Sequence, residues 1–167
     1  KVYTTNVSDV LCIGLGVGIV PMQFAREGAR VDVVEINPAV APMSRQFFDL
    51  EPERLNLTVG DGRQFVNTSR PQQYDAIILD AFLGESSPSH LMSREAFTAM
   101  RRILRPNGVL VINCFGDFTP GKDFLVASLQ KTLAKAFPSV RIHSSDDQGN
   151  VFFVASATEL QRWRTPT

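Results

Sequence analysis

The segment Gly14-Leu15-Gly16-Val17-Gly18 closes an apolar run that begins at Val10. Glycines at such a point let the backbone turn tightly and approach a ligand closely. A helix that follows the turn adds free N–H groups and the positive end of its dipole. A dinucleotide fingerprint would place its third small residue at position 19, which is Ile19, so a nicotinamide dinucleotide is disfavoured. Two acids extend the pattern. Glu35 stands 21 residues after Gly14, where a carboxylate can accept hydrogen bonds from both hydroxyls of a ribose. A solvated acid at a strand end would look the same. In Gly60-Asp61-Gly62-Arg63, Asp61 can accept from the exocyclic amine of adenine while Gly62 permits the turn; alternatively, Asp61 caps the next helix. Asp80 ends a fourth apolar run and can orient or deprotonate an incoming nucleophile, or else make a turn contact. The expected nucleoside site is therefore Gly14, Gly16, Gly18, Glu35, Asp61 and Gly62, with Asp80 as the catalytic group. His90 reads as a surface or loop-anchoring residue before a proton carrier, and His143 as structural. No residue spacing suggests a metal.

These residues need elements to hold them. Val10–Gly16, Arg30–Ile36, Leu55–Val59, Tyr74–Ala81 and Val109–Phe115 read as strands. Helices are expected at Ile19–Gly28, Pro38–Leu50, Arg63–Thr68, Ser93–Arg105 and Asp123–Phe137. Ser93 is the candidate N-cap of the fourth helix, with Glu95 in its first turn and Ala96 leaving the capping box incomplete. Pro106-Asn107-Gly108 predicts a turn before the fifth strand. Val140–His143 and Val151–Ala155 are two further strands. The segment between them is too short for a helical crossover, so they form an antiparallel hairpin. Five βα units followed by a hairpin predict an α/β, methyltransferase-type Rossmann fold. Its sheet is seven-stranded and mostly parallel, with helices on both faces and the antiparallel hairpin at the C-terminal end.

A chain of 167 residues makes one domain, large enough to bury a core without staples. Lys plus Arg and Asp plus Glu both number 17, and this balance argues against nucleic acid as a partner. Arg101, Arg102 and Arg105 read as a solvated helix face. Cys12 and Cys114 fall inside apolar runs, as core thiols of a reducing compartment do. The longest apolar stretch is too short to cross a bilayer, so this domain itself is expected to make no membrane contact. The chain begins at Lys1 in mid-pattern, which suggests a domain of a longer protein. A cytoplasmic location is expected, with the soluble part of a membrane-attached protein as the variant; a homodimer stays open.

The motifs VLCIGLGVGIV, VVEINPAV, VGDGRQF, YDAIILDAF, HLMSREAF and LRPNGVLVINCFG together resemble spermidine synthase and its relatives, the polyamine aminopropyltransferases. The resemblance implies that the Gly14–Gly18 turn, Glu35, Asp61 and Gly62 hold the adenosyl part of decarboxylated S-adenosylmethionine. It makes Asp80 the aspartate that takes a proton from the attacking amine. Two of the family's acids are replaced, one in the glycine turn by Val17 and one after the fourth strand by Leu83, with Glu85 as a nearby substitute. The family's N-terminal β-domain is not matched. Bacterial proteins in which such a domain follows a membrane segment are more similar still, with a D-A-F-x-G-x-x-x-P-x-H-L loop. The implied cofactor is S-adenosylmethionine or decarboxylated S-adenosylmethionine, and the implied partner a small-molecule acceptor, an amine among the candidates. An ordinary methyltransferase of unknown acceptor and a non-catalytic nucleoside-binding domain are the alternatives.

Overall fold

A strand that is apolar at successive positions must be covered on both faces, and β1 (Asp9–Ile13) is such a strand from Val10 onward. Val10, Leu11, Cys12 and Ile13 are each no more than 2% exposed. The structure, a computed structural model, describes residues 3–4, 6–81, 88–116, 118–119, 121–144 and 150–161. Around β1 lie β2 (Arg30–Glu35), β3 (Asn56–Val59), β4 (Tyr74–Leu79), β5 (Leu104–Phe115), β6 (Ser139–Ser144) and β7 (Asn150–Ser156). Their order across the sheet is β3-β2-β1-β4-β5-β7-β6. The first five strands run parallel, while β7 is antiparallel to both β5 and β6. The seven-stranded sheet with its antiparallel C-terminal hairpin is the architecture expected from the sequence.

The helices divide between the faces because the chain changes direction across the sheet. From β1 to β3 it moves outward one way, and right-handed crossovers put α1 (Ile19–Arg26) and α2 (Val40–Phe48) on one face. It then returns past β1 to β4 and continues the other way. That places α3 (Gly62–Thr68), α4 (Arg94–Ile103) and α5 (Phe124–Ala134) on the opposite face. The core is split accordingly. Val66, Phe97, Met100, Ile103, Leu129 and Leu133 pack with Leu11, Ile77, Leu79 and Ile112 on the second face. Met22 packs with Val10, Cys12 and Val33 on the first. Ser93 caps α4 as expected, accepting from the Ala96 N–H at 3.2 Å.

Two expectations need correction. The turn expected at Pro106-Asn107-Gly108 lies inside β5, which begins at Leu104 beside Tyr74. Pairing then resumes at Ala76 with Val109, so the intervening residues form a bulge rather than a connection between elements. Burial of Leu104 and Tyr74 holds the first pair together, and tight packing of Gly108 against the Tyr74 carbonyl leaves no room for a side chain. The three arginines are likewise not a free solvated face. Arg102 donates to the carbonyls of Val66, Asn67 and Ser69 at the end of α3, and Arg101 to the Ala136 carbonyl beyond α5. Each satisfies backbone acceptors that a helix terminus leaves open.

Arg105 has a different task, at the N-terminal ends of the strands. It bridges Asp9 and Asp75, each at 2.7 Å, while Arg30 holds the other oxygen of Asp9 at 2.7 Å. Ser8 and Asp9 add backbone N–H donors to Asp75. Partial burial pushes both carboxyls up, but Arg30 and Arg105 outweigh it at Asp9, and Arg105 with the two N–H groups does so at Asp75. Both groups end below the usual carboxylate range. A folded-state pKa below the unfolded one gives stability that is present above the unfolded value and lost as pH falls through the folded one. Arg105→Met should therefore destabilise the fold at pH 7 by about 1–2 kcal/mol, reduced by the exposure of Arg105 from the cost of breaking a fully buried pair. Denaturant titration should show this gap from wild type close as the pH falls through the lowered folded-state values of the two carboxyls and both become neutral.

Candidate nucleoside and catalytic site

The two ladders beside β1 continue past its last residue. The Gly14 N–H donates to the Val34 carbonyl at 2.9 Å, and the Asp80 N–H donates to the Ile13 carbonyl at 3.0 Å. The backbone at Gly14 has φ +96°, and a Cβ there would run into the Asp80 carbonyl. Only glycine accepts both conditions. Gly16, at φ +53°, has open space where a side chain would stand, and its carbonyl accepts from the Ser44 hydroxyl of α2 at 2.8 Å. Gly18 ends the turn as the residue preceding α1, with Leu50 packed where its Cβ would be.

Glu35 ties this turn to the end of β2. One carboxylate oxygen accepts from the Leu15 N–H at 3.0 Å and the other from the Asn37 N–H at 2.9 Å. A carboxylate has about four acceptor positions, so two remain for a ligand diol. The simple solvated acid considered from the sequence is not what forms. Of the two sequence readings of Asp61, the helix cap is what the structure shows. The residue caps α3, with Oδ1 accepting from the Gln64 N–H at 2.7 Å, while Oδ2 lies 3.6 Å from Nε2 of His90. Gly62 is required for a reason other than turning: its φ is not positive, but a Cβ would come within 2.5 Å of Ile13. Asp80 sits one residue beyond the Leu79–Ile112 pair, which puts it opposite Asn113. The Asn113 amide donates to Asp80 Oδ1 at 3.0 Å, and the amide oxygen is buried with no partner among the described residues.

These groups surround one cavity of about 430 Å³ at the C-terminal ends of β1 to β4. Gly14, Gly16, Glu35, Asp61, Gly62 and Asp80 all line it; Gly18 and Val17 do not. Ile13, Val34, Ile36, Val40 and Leu91 supply apolar walls, and Asn37 and His90 further polar atoms. Three carboxylates line the cavity and no lysine or arginine does, among the described residues. That charge balance favours a cationic ligand and opposes a phosphate. The sequence reading missed Asn113, whose neighbour across the sheet is visible only once the register is known. It made His90 a surface or loop-anchoring residue; the side chain is half exposed, and the short 3₁₀ turn Ser89–Leu91 also sets it at the cavity wall. Leu83 and Glu85 lie outside the described residues. Cys12 is no nucleophile, since burial, with Asp80's charge adding to it, pushes its thiol up to about 12. Among the described residues no cluster of His, Cys, Asp and Glu is arranged to hold a metal, and no helix is long and apolar enough to cross a membrane.

The family model for the spermine/spermidine synthase domain matches residues 1–145. The chain belongs to the spermine/spermidine synthase domain family. It is 35% identical over 139 residues to an N-terminal histidine N-methyltransferase of Emericella nidulans, covering 81% of this chain and 24% of that protein. It is 39% identical over 111 residues to a polyamine aminopropyltransferase of Vibrio vulnificus, covering 64% of this chain and 37% of that one. Thus it spans well under half the length of these relatives. A probable spermidine synthase from Corynebacterium glutamicum superposes with a TM-score of 0.80 at 27% identity, over 92% of this chain and 57% of that one. Both aminopropyl and methyl transfer are therefore named among proteins similar to this domain.

The turn geometry separates two glycines that look alike in sequence. Gly14→Ala meets both an unfavourable φ and a backbone collision, whereas Gly16→Ala meets only the φ penalty of about 1 kcal/mol. In denaturant titrations Gly14→Ala should be the more destabilising by about 2 kcal/mol or more, on the scale of stored backbone strain. Equal losses would show that the Asp80 carbonyl is not pressed against the turn.

Proposed function

We propose that this domain binds S-adenosylmethionine or its decarboxylated form and transfers an alkyl group from it to a small acceptor, an amine. The observation that carries this reading is the convergence of Gly14, Gly16, Glu35, Asp61 and Asp80 on one cavity that is rich in carboxylates and, among the described residues, free of lysine and arginine. Its volume lies within the range of small-molecule sites, roughly 300–1,000 Å³. The two spare acceptor positions of Glu35 suit a ribose diol, and Oδ2 of Asp61 suits an amine donor on the base. The glycine turn admits the ligand close to the backbone at the mouth of β1.

When bound, the sulfonium supplies an activated carbon: a bond forms from the acceptor nitrogen to that carbon as the carbon–sulfur pair leaves with a neutral thioether. The protein needs no acid for such a leaving group. Its part is to position the acceptor and take up the amine proton, which falls to Asp80. Asn113 keeps the Asp80 carboxylate in one orientation through its amide donor.

The identity of the transferred group rests on a separate observation. Val17 stands in the glycine turn where the family resemblance implies an acid for the ammonium of an aminopropyl group. A valine side chain cannot accept a hydrogen bond, and an unpaired ammonium in a dry site is costly. Intact S-adenosylmethionine carries the same ammonium together with a carboxylate, which an acid at position 17 would repel and a valine does not, so methyl transfer is the form of the reaction that this residue favours.

Calorimetric titration with S-adenosylmethionine, decarboxylated S-adenosylmethionine and 5′-methylthioadenosine tests the cofactor. Binding of none of them would leave a non-catalytic domain. If Glu35 receives the ribose, the 2′-deoxy counterpart of 5′-methylthioadenosine should bind about 1–3 kcal/mol more weakly, the value of a hydrogen bond to a charged group. Equal affinities would remove Glu35 from the site.

Asp80→Asn should lower turnover about a hundredfold or more while nucleoside affinity is retained. A parallel fall in affinity would make Asp80 a positioning residue instead.

A further inference from the structure

Asp61 and His90 reach the cavity wall from separate elements that are fastened together. Asp61 is fixed by capping α3, which commits Oδ1 to the Gln64 N–H and leaves Oδ2 turned toward His90. His90 belongs to the 3₁₀ turn Ser89–Leu91, closed by the Leu91 N–H on the Pro88 carbonyl at 2.9 Å. Leu91 is buried in the core beside Gly62. Arg63 of α3 holds the same turn from outside, with Nη1 on the His90 carbonyl at 3.3 Å and on the Ser93 hydroxyl at 3.2 Å. The imidazole is thus anchored through its backbone while its ring faces the cavity, half exposed.

The chemistry of the pair follows from its neighbours. Oδ2 lies 3.6 Å from Nε2, too far for a hydrogen bond between them, so in the tautomer that carries its proton on Nε2 that N–H is left for a ligand. The wall then offers an acceptor, Asp61 Oδ2, side by side with a donor, His90 Nε2–H. A 6-aminopurine presents the complementary edge, an amine donor next to a ring-nitrogen acceptor. A 6-oxopurine reverses it: its carbonyl oxygen would face the carboxylate and its ring N–H the imidazole donor. Two mismatched polar groups in one enclosed wall discriminate far more strongly than a missing apolar contact.

We infer that His90 is a specificity residue that, together with Asp61, reads the 6-amino edge of the bound nucleoside's base. This assignment rests on the nucleoside reading of the cavity and deepens it. Because the ring is half exposed and held by backbone contacts, replacing it leaves the fold intact.

The test is calorimetric titration of the wild type, His90→Ala and His90→Gln with 5′-methylthioadenosine and 5′-methylthioinosine, each protein checked by thermal denaturation. The wild type should prefer the adenine nucleoside by about a hundredfold or more. His90→Ala should lose about tenfold in affinity for the adenine nucleoside and little for the inosine one, so that discrimination shrinks. His90→Gln, which keeps an N–H donor, should recover part of the loss. Unchanged discrimination in His90→Ala, or equal losses for both nucleosides, would overturn the assignment while leaving the cavity a nucleoside site. A wild type that binds neither nucleoside would overturn both.

Discussion

The site depends on one close approach: β1 turns away between β2 and β4 at a residue that has no side chain. Gly14 still belongs to the ladder with β2 through its N–H, and the Asp80 carbonyl occupies the space of its absent Cβ. This contact brings the ends of β1 and β4 together, so the glycine turn and the Asp80 carboxylate share a wall of the cavity. In an open parallel sheet the carboxyl ends of the strands form a crevice where the strand order reverses, and here the reversal lies between β1 and β4. The N-terminal ends are treated in the opposite way. Arg30 and Arg105 pair there with Asp9 and Asp75, so the charges at that end satisfy one another, while the carboxylates at the other end face the cavity.

The acids of the site are also its braces. Glu35 uses two acceptor positions to hold the glycine turn and the start of the next segment, and Asp61 uses one oxygen to cap α3. Such sharing fixes the carboxylates before a ligand arrives, so little side-chain entropy is left to lose on binding. It also means that a substitution at Glu35 acts on the backbone and the ligand together. Varying the ligand, rather than the residue, is what isolates the ribose contact. Asp80 is held differently, by the side chain of Asn113 on the neighbouring strand. Among the described residues that bond leaves a buried amide oxygen without a partner, which costs about 1–3 kcal/mol. An unsatisfied atom is tolerated where it secures the orientation of a neighbouring functional group.

The sequence revealed what depends on local chemistry and concealed what depends on neighbours. Strand and helix placement, the C-terminal hairpin and the Ser93 cap follow from periodicity and from the short separation of β6 and β7, and all appear in the structure. Gly62 is legible as a glycine but not for its actual reason, since contact with Ile13 is tertiary. Arg102 shows only as one of three arginines on a helix until α3 is placed beside it. Asn113 looks like a polar interruption in an apolar strand, and His90 like a loop residue. Both gain their meaning from register or from a turn that the sequence does not announce. The bulge at Pro106–Gly108 is the same kind of case, because local turn residues are overridden by the pairing of Leu104 with Tyr74.

The mixture of aminopropyl and methyl transfer named among the relatives has a physical basis in this division of labour. A sulfonium nucleoside offers the same ribose and base whichever substituent is transferred, and in the proposed reading Glu35 and Asp61 take those parts. The leaving thioether is neutral in either reaction, so no acid has to change place. What must differ is the surrounding of the sulfonium substituents, because the intact cofactor carries a carboxylate beside its ammonium and the decarboxylated one carries the ammonium alone. A change of reaction therefore requires exchange of a few side chains around those substituents, while the strand-end backbone held by Gly14 and Glu35 stays fixed.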